Sequence, residues 1–200
     1  MQKRIFDLVV SLLAFIIFSI PMLLVAIAVW ISSPGPILYW SERIGRNNQV
    51  FSMPKFRTMR VNTPLLPTHL LKNATTFITP IGSFLRRSSL DELPQLYCII
   101  MGHMSLVGPR PALYNQQDLI DARTALGVHT LMPGLTGWAQ VNGRNAISWD
   151  EKFAMDVWYV GHRSLWLDLY ILWLTVHKVI VRDGISAVGD ATMPPFTGKI

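Results

Sequence analysis

From Leu8 to Ile31 the chain carries no charged side chain. A helix needs roughly 20 apolar residues to cross a bilayer, so this run is long enough to do so. Two features oppose a straight crossing. Ser19 and Pro21 lie in its middle, where proline removes a backbone donor and bends the axis. Positive charge also flanks both ends, with Lys3 and Arg4 before the run and Arg43 and Arg46 after it. The positive-inside tendency then favours both ends on the cytoplasmic face. A helix that enters and leaves on one face satisfies both features, so Ser19 and Pro21 are read as the break of a re-entrant membrane helix. A straight span and a signal peptide are the competing readings. The second rests on Lys3, Arg4 and an Ala26-Ile27-Ala28 site, but the apolar run exceeds the usual core of about 7–15 residues. Ser33-Pro34-Gly35-Pro36 ends the segment and divides the chain into an anchor, 1–33, and a cytoplasmic domain, 34–200.

Half the residues are hydrophobic and only 15% are charged, which excludes a disordered chain. The net charge of +6 points to an anionic partner: nucleic acid, anionic lipid or a phosphorylated substrate. Cys98 is the single cysteine, so no internal disulfide and no zinc spacing can form.

The stretch Ser88–Pro111 carries the chemistry. Asp91 and Glu92 stand at a helix start, just after Arg86-Arg87, and Arg110 is held between Pro109 and Pro111. Asp91 can be read simply as an N-cap, which places Pro94 in the tolerated first turn, and Ser89 with Glu92 has capping-box spacing. A helix N-terminus is also an anion site. Acids there among arginines can bind Mg²⁺ beside phosphate oxygens, or attack phosphorus directly.

Around this centre the spacing predicts short strands at Ile37–Trp40 and Val50–Met53, a short helix at Pro80–Arg87, and a helix from Gln95 to Met101 stopped by Gly102. A buried strand is expected at Met104–Val107, a helix over 112–126, and a short strand at 138–141. Lys55, Arg57 and Arg60 form either a solvated basic edge or part of an anion site. The glycine-rich segment Pro133–Asn145 fits neither a Walker nor a Rossmann loop, but it can form a backbone nest with Arg144 as a clamp. Ser148 and Glu151 form a capping box that opens a helix to about Val160. Leu165–Val181 suits either an amphipathic helix in the membrane interface, with Trp166, Tyr170 and Trp173 at headgroup level, or a core helix. The expected fold class is α+β: a re-entrant helix, a small mainly helical domain with short strands, and interfacial amphipathic helices.

Four segments together resemble the bacterial sugar transferases, the monotopic polyprenyl-phosphate sugar-1-phosphate transferases. They are Lys55–Met59, Ser89–Leu96, Met104–Pro111 and Pro133–Arg144, in that order. The segment Asn145–Trp149 and the tail Phe196-Thr197-Gly198-Lys199 are similar to the branch that loads diacetylbacillosamine-1-phosphate, or another N-acetylated sugar phosphate, onto undecaprenyl phosphate. The resemblance implies a membrane enzyme of glycoconjugate assembly on the cytoplasmic face of the bacterial inner membrane. It would use a UDP-sugar and polyprenyl phosphate, release UMP and require Mg²⁺. It would contact membrane lipids, bind no nucleic acid, and admits a homodimer. Asp91 would be the nucleophile and a metal ligand, and Glu92 its partner and base for the polyprenyl phosphate. Lys55, Arg87, Arg110 and Arg144 would hold phosphate oxygens. Two positions depart from the family pattern: Ile20 separates Ser19 from Pro21, and His103 replaces a frequent acid, a change expected to alter charge near the site. A Mg²⁺-dependent diphosphate hydrolase and a non-catalytic anionic-lipid adaptor are the alternatives.

Overall fold

A computed structural model describes residues 2–63, 74–143 and 148–181. Two helices, α1 (Gln2–Ile17) and α2 (Ser19–Ser32), meet at a 58° bend. The break falls at Phe18, where ψ is 4°. Pro21 has no N–H to offer the Ile17 carbonyl, and the ring crowds it. The Ser19 hydroxyl donates to the Ile16 carbonyl at 2.7 Å, satisfying an acceptor at the break. Neither helix alone is long and apolar enough to cross a membrane, while the bent pair together has the length and composition to do so.

The two helices dock differently. α1 turns Phe6, Val10 and Ala14 onto the largest apolar cluster. It also buries Asp7 and Ser11, unusual residues for a lipid-facing helix. Asp7 accepts from Ser105 Oγ at 2.8 Å and from the Leu106 N–H at 3.2 Å. Lys3 reaches Asp168 at 2.6 Å, and Arg4 donates to the Ile100 carbonyl at 2.8 Å. Lys3 and Arg4, which precede the uncharged run, therefore bind the rest of the fold. α2 packs Val25 and Val29 on Phe56 and Leu85, and Arg57 closes its end by donating to the Ser33 and Pro34 carbonyls. Outward, Ile16, Ile17, Ile20, Leu23, Leu24, Trp30 and Ile31 remain exposed.

The domain begins with an antiparallel hairpin, β1 (Leu38–Ile44) and β2 (Val50–Phe56), longer than the strands expected there. Among the described residues the pair has no third strand, so Pro54 costs no ladder bond on its open edge. Asn47 and Asn48 make the turn with φ of 55° and 61°, a region asparagine tolerates. Next come α3 (Gly82–Ser88), a 3₁₀ turn (Leu90–Gln95) and α4 (Leu96–Met101), which ends at Gly102 with φ of 87°. β3 (Ser105–Val107) and β4 (Gly134–Thr136) pair in parallel, with α5 (Gln117–Ala125) between them in sequence.

The expected strand at 138–141 is instead α6 (Trp138–Asn142). Four residues are too few to separate a strand period from a helical one. The turn closes when Val141 N–H donates to the Gly137 carbonyl at 3.0 Å, which buries both Ala139 and Val141. α7 (Trp149–His162) opens on the expected capping box, with Ser148 and Glu151 bonded reciprocally. α8 (Leu165–Val181) buries Asp168 and Ile171 and exposes Trp166, Tyr170 and Trp173. Among the described residues the fold is mostly helical, with two two-stranded sheets.

Candidate active site

The acid pair sits at a reversal of the chain. Between α3 and the 3₁₀ turn, Ser89 adopts φ 57° and ψ 15°, a left-handed conformation rare for a residue with a Cβ. This turns the chain so that Arg86, near the end of α3, and Asp91, in the first 3₁₀ turn, interact by charge. Asp91 is therefore not an N-cap. Ser89 holds that position without a side-chain cap bond, and no capping box forms with Glu92. Glu92 is engaged elsewhere: Lys55 Nζ lies 2.7 Å and Arg110 Nη2 2.8 Å from its Oε1 atom. Lys55 arrives from β2, which packs on the 3₁₀ turn.

Arg110 is held by its backbone. Prolines on both sides remove two donors, so the turn's carbonyls depend on partners from elsewhere. Each of four successive carbonyls has one. Gly134 N–H donates to Pro109 at 2.9 Å, and Arg123 Nη1 to Arg110 at 2.6 Å. Arg43 Nη1 donates to Pro111 at 3.3 Å, and Ile44 N–H to Ala112 at 3.0 Å. Glycines allow the close fit, since a Cβ on Gly137 would lie 2.1 Å from the Gly108 carbonyl oxygen. The Arg110 side chain remains 49% exposed.

The two acids are tuned in opposite directions. Burial, reinforced by the Glu92 charge, pushes the Asp91 carboxyl up to about 6, although Lys55, Arg86 and Arg110 pull against it. Burial also works to raise Glu92, but Arg110 and Lys55 outweigh it and hold that carboxyl well below the usual range. The surrounding cations feel the same crowding. Burial and then Arg110 lower Arg43 to about 10. Lys152 is lowered to about 8 by burial, then by Arg110 and Arg123. Such divergence marks an acid kept near neutrality beside one kept ionised, a pattern typical of reaction centres.

Lys55, Asp91, Glu92 and Arg110 thus converge. Arg87 is exposed, whereas Arg86 is half-buried, donates to Thr58 Oγ1 at 2.9 Å and interacts with Asp91. Arg144 lies outside the described residues, as does the tail at 196–199. His103 sits past the far end of α4, stacked on Phe51 with centroids 6.0 Å apart, where Arg4 binds the α4 carbonyls. The ring therefore lies beside the contact between α1 and α4. Arg43, Arg123, Asp156 and Lys152 belong to the site but lie outside the four segments. Two of them act on backbone carbonyls, acceptors that every residue carries, so no residue pattern announces them.

Among the described residues no group of three His, Cys, Asp or Glu side chains is placed to hold a metal. Magnesium often binds through one or two carboxylates plus substrate phosphates. Asp91 fits that mode, whereas Glu92 is already engaged by two cations.

A titratable carboxyl facing clustered cations is equipment for an enzyme that handles phosphate-containing groups. Residues 1–182 match the bacterial sugar transferase family model, and the chain belongs to that family and is a transferase. The uncharacterized sugar transferase EpsL of Bacillus subtilis (strain 168) is 41% identical, covering 98% of this chain and 96% of its own length. The undecaprenyl-phosphate galactose phosphotransferase of Salmonella typhimurium (strain LT2) is 37% identical over 91% of this chain, which spans 41% of that protein. An Aeromonas hydrophila protein is named UDP-N-acetylgalactosamine-undecaprenyl-phosphate N-acetylgalactosaminephosphotransferase. It is 33% identical over 91% of this chain, which spans 44% of its length.

Proposed function

We propose that this chain moves a sugar 1-phosphate from a UDP-sugar to undecaprenyl phosphate, releasing UMP, through a covalent intermediate on Asp91. The observation that carries the reading is Asp91 itself: a buried carboxyl pushed up to about 6, with Lys55, Arg86 and Arg110 acting on it. In the first step an Asp91 carboxylate oxygen attacks the sugar-bearing phosphorus. The phosphorus–oxygen bond to UMP breaks, and UMP leaves with that oxygen. In the second step an oxygen of undecaprenyl phosphate attacks the same phosphorus, the bond to Asp91 breaks, and the carboxylate is restored. One site serves both substrates because the carboxylate stores the group between steps.

Lys55 and Arg110 bind Glu92 until phosphate oxygens replace it. A Glu92 released from both cations regains basicity and can take a proton from the incoming lipid phosphate. Arg110, Arg86 and Lys55 balance the charge on the transferring group. Arg87 and Arg144 remain candidates for more distant phosphate contacts. Asp91 would be the residue to hold Mg²⁺, which would supply further charge neutralisation at the phosphoryl group.

The bent α1–α2 pair is read as a re-entrant anchor (1–33), with the catalytic domain (34–200) on the cytoplasmic face of the bacterial inner membrane. The exposed Trp166, Tyr170 and Trp173 of α8 support contact with the interface. The donor is proposed to carry an N-acetylated sugar, diacetylbacillosamine or a relative.

The test uses detergent-solubilised protein and a panel of UDP-sugars. Expected are UMP release that depends on undecaprenyl phosphate for sustained turnover, a phosphosugar mass on the Asp91 peptide, and loss of both in Asp91→Asn. UMP release at the original rate by Asp91→Asn would overturn the nucleophile. Sustained release without the lipid acceptor would instead identify a hydrolase.

A further inference from the structure

Arg110 sits on a turn, yet its guanidinium must meet Glu92 and incoming phosphate with ångström precision. Packing alone does not hold that turn. A cavity of about 30 Å³ adjoins it, lined by Arg110, Arg123 and His129 among others. A chain of three groups braces the turn. The Asp156 carboxylate on α7 binds Arg123 Nη2 at 2.9 Å, and Arg123, on α5, donates Nη1 to the Arg110 carbonyl at 2.6 Å. The Arg123 and Asp156 side chains are 14% and 4% exposed, so neither presents a face to substrate. Burying such a pair is costly, and its net value to stability is commonly small. Here it clamps the one carbonyl in the turn that belongs to Arg110 itself.

We propose that Asp156 and Arg123 are positioning residues, which set where Arg110 presents its guanidinium to the donor's diphosphate. The inference rests on the transfer reading above. Arg123 must be an arginine for this task, because two separate donors of one planar fork serve two acceptors at once. Lysine keeps the charge but offers a single nitrogen. Asp156→Asn leaves the shape but weakens the hold on the fork.

The test is a double-mutant cycle with two readouts, UDP affinity by calorimetry and UMP release from UDP-sugar. Its members are the unaltered protein, Arg110→Ala, Arg123→Gln and the double variant. Arg123→Lys and Asp156→Asn serve as milder changes, and thermal melts verify folding. Displacement of a binding group by about 1 Å can cost about 100-fold, so Arg123→Gln should weaken UDP binding and kcat/KM by about 10- to 100-fold. On the Arg110→Ala background the same change should cost less than about twofold, because the group it positions is gone. An equal cost on both backgrounds, or no cost on either, would overturn the proposal. Retained coupling in UDP affinity, with no UMP released by the unaltered protein from any UDP-sugar, would sink the transfer reading while leaving the positioning role intact.

Discussion

The acid limit of the first half-reaction should report Asp91, and changing Glu92 should move it. The nucleophile works only as a carboxylate, and burial with the Glu92 charge raises its pKa to about 6. Single-turnover UMP release from UDP-sugar without lipid acceptor isolates this step. At sub-saturating UDP-sugar, where the rate follows the ionisation of the free protein, it should be half-maximal near pH 6. At pH 5, one unit below the midpoint, about one tenth of the carboxyl is ionised and the rate should fall about tenfold. The donor's diphosphate does not titrate in this window, so the limb belongs to the protein. Glu92→Gln removes the second-largest cause of the shift while keeping shape and burial. It also frees Lys55 and Arg110, both of which lower the Asp91 pKa. All these changes act in one direction, so the limb in Glu92→Gln should move to lower pH. The plateau should fall as well, because the two cations lose the carboxylate that holds them together. Stopped-flow or quench sampling from pH 4.5 to 8 would decide it. A limb in the same place in both proteins would refute the electrostatic account of the pair.

Two further outcomes follow from the same geometry. Folding raises the Asp91 pKa from 3.8 to about 6, so the folded chain retains a proton that the unfolded chain releases, and stability is lost as pH rises through that window. Asp91→Asn has no such loss, and should be inactive yet more stable above pH 6 by about 3 kcal/mol, with the gain vanishing near pH 4 in thermal melts. Separately, Arg86→Ala should lower kcat/KM at least about tenfold and Arg87→Ala less than about threefold, since a charge-assisted contact is worth roughly 1.5–3 kcal/mol and an exposed charge far less. Equal losses in steady-state assays would remove Arg86 from the site.

Part of the candidate site is legible along the chain. Lys55, Asp91, Glu92 and Arg110 stand in short segments whose composition already points to phosphate chemistry, and the fold brings Lys55 and Arg110 onto Glu92 beside Asp91. The capping-box motif is read correctly at Ser148 and wrongly at Ser89, although the spacing is the same. The difference is competition: Glu151 is exposed and free to bond its own N-terminus, whereas Glu92 is captured by cations 37 and 18 residues away.

That an uncharged run must break near Pro21, and that an acid pair stands close to basic side chains, is readable from the residues alone. Both follow from local chemistry: a missing N–H, and charges grouped along the chain. Which arginine reaches Asp91, why Glu92 is held ionised while Asp91 titrates near 6, and how Arg43 and Arg123 grip the turn carrying Arg110 emerge only on folding. Those outcomes depend on burial and on backbone carbonyls, which exist as specific partners only after distant segments have packed.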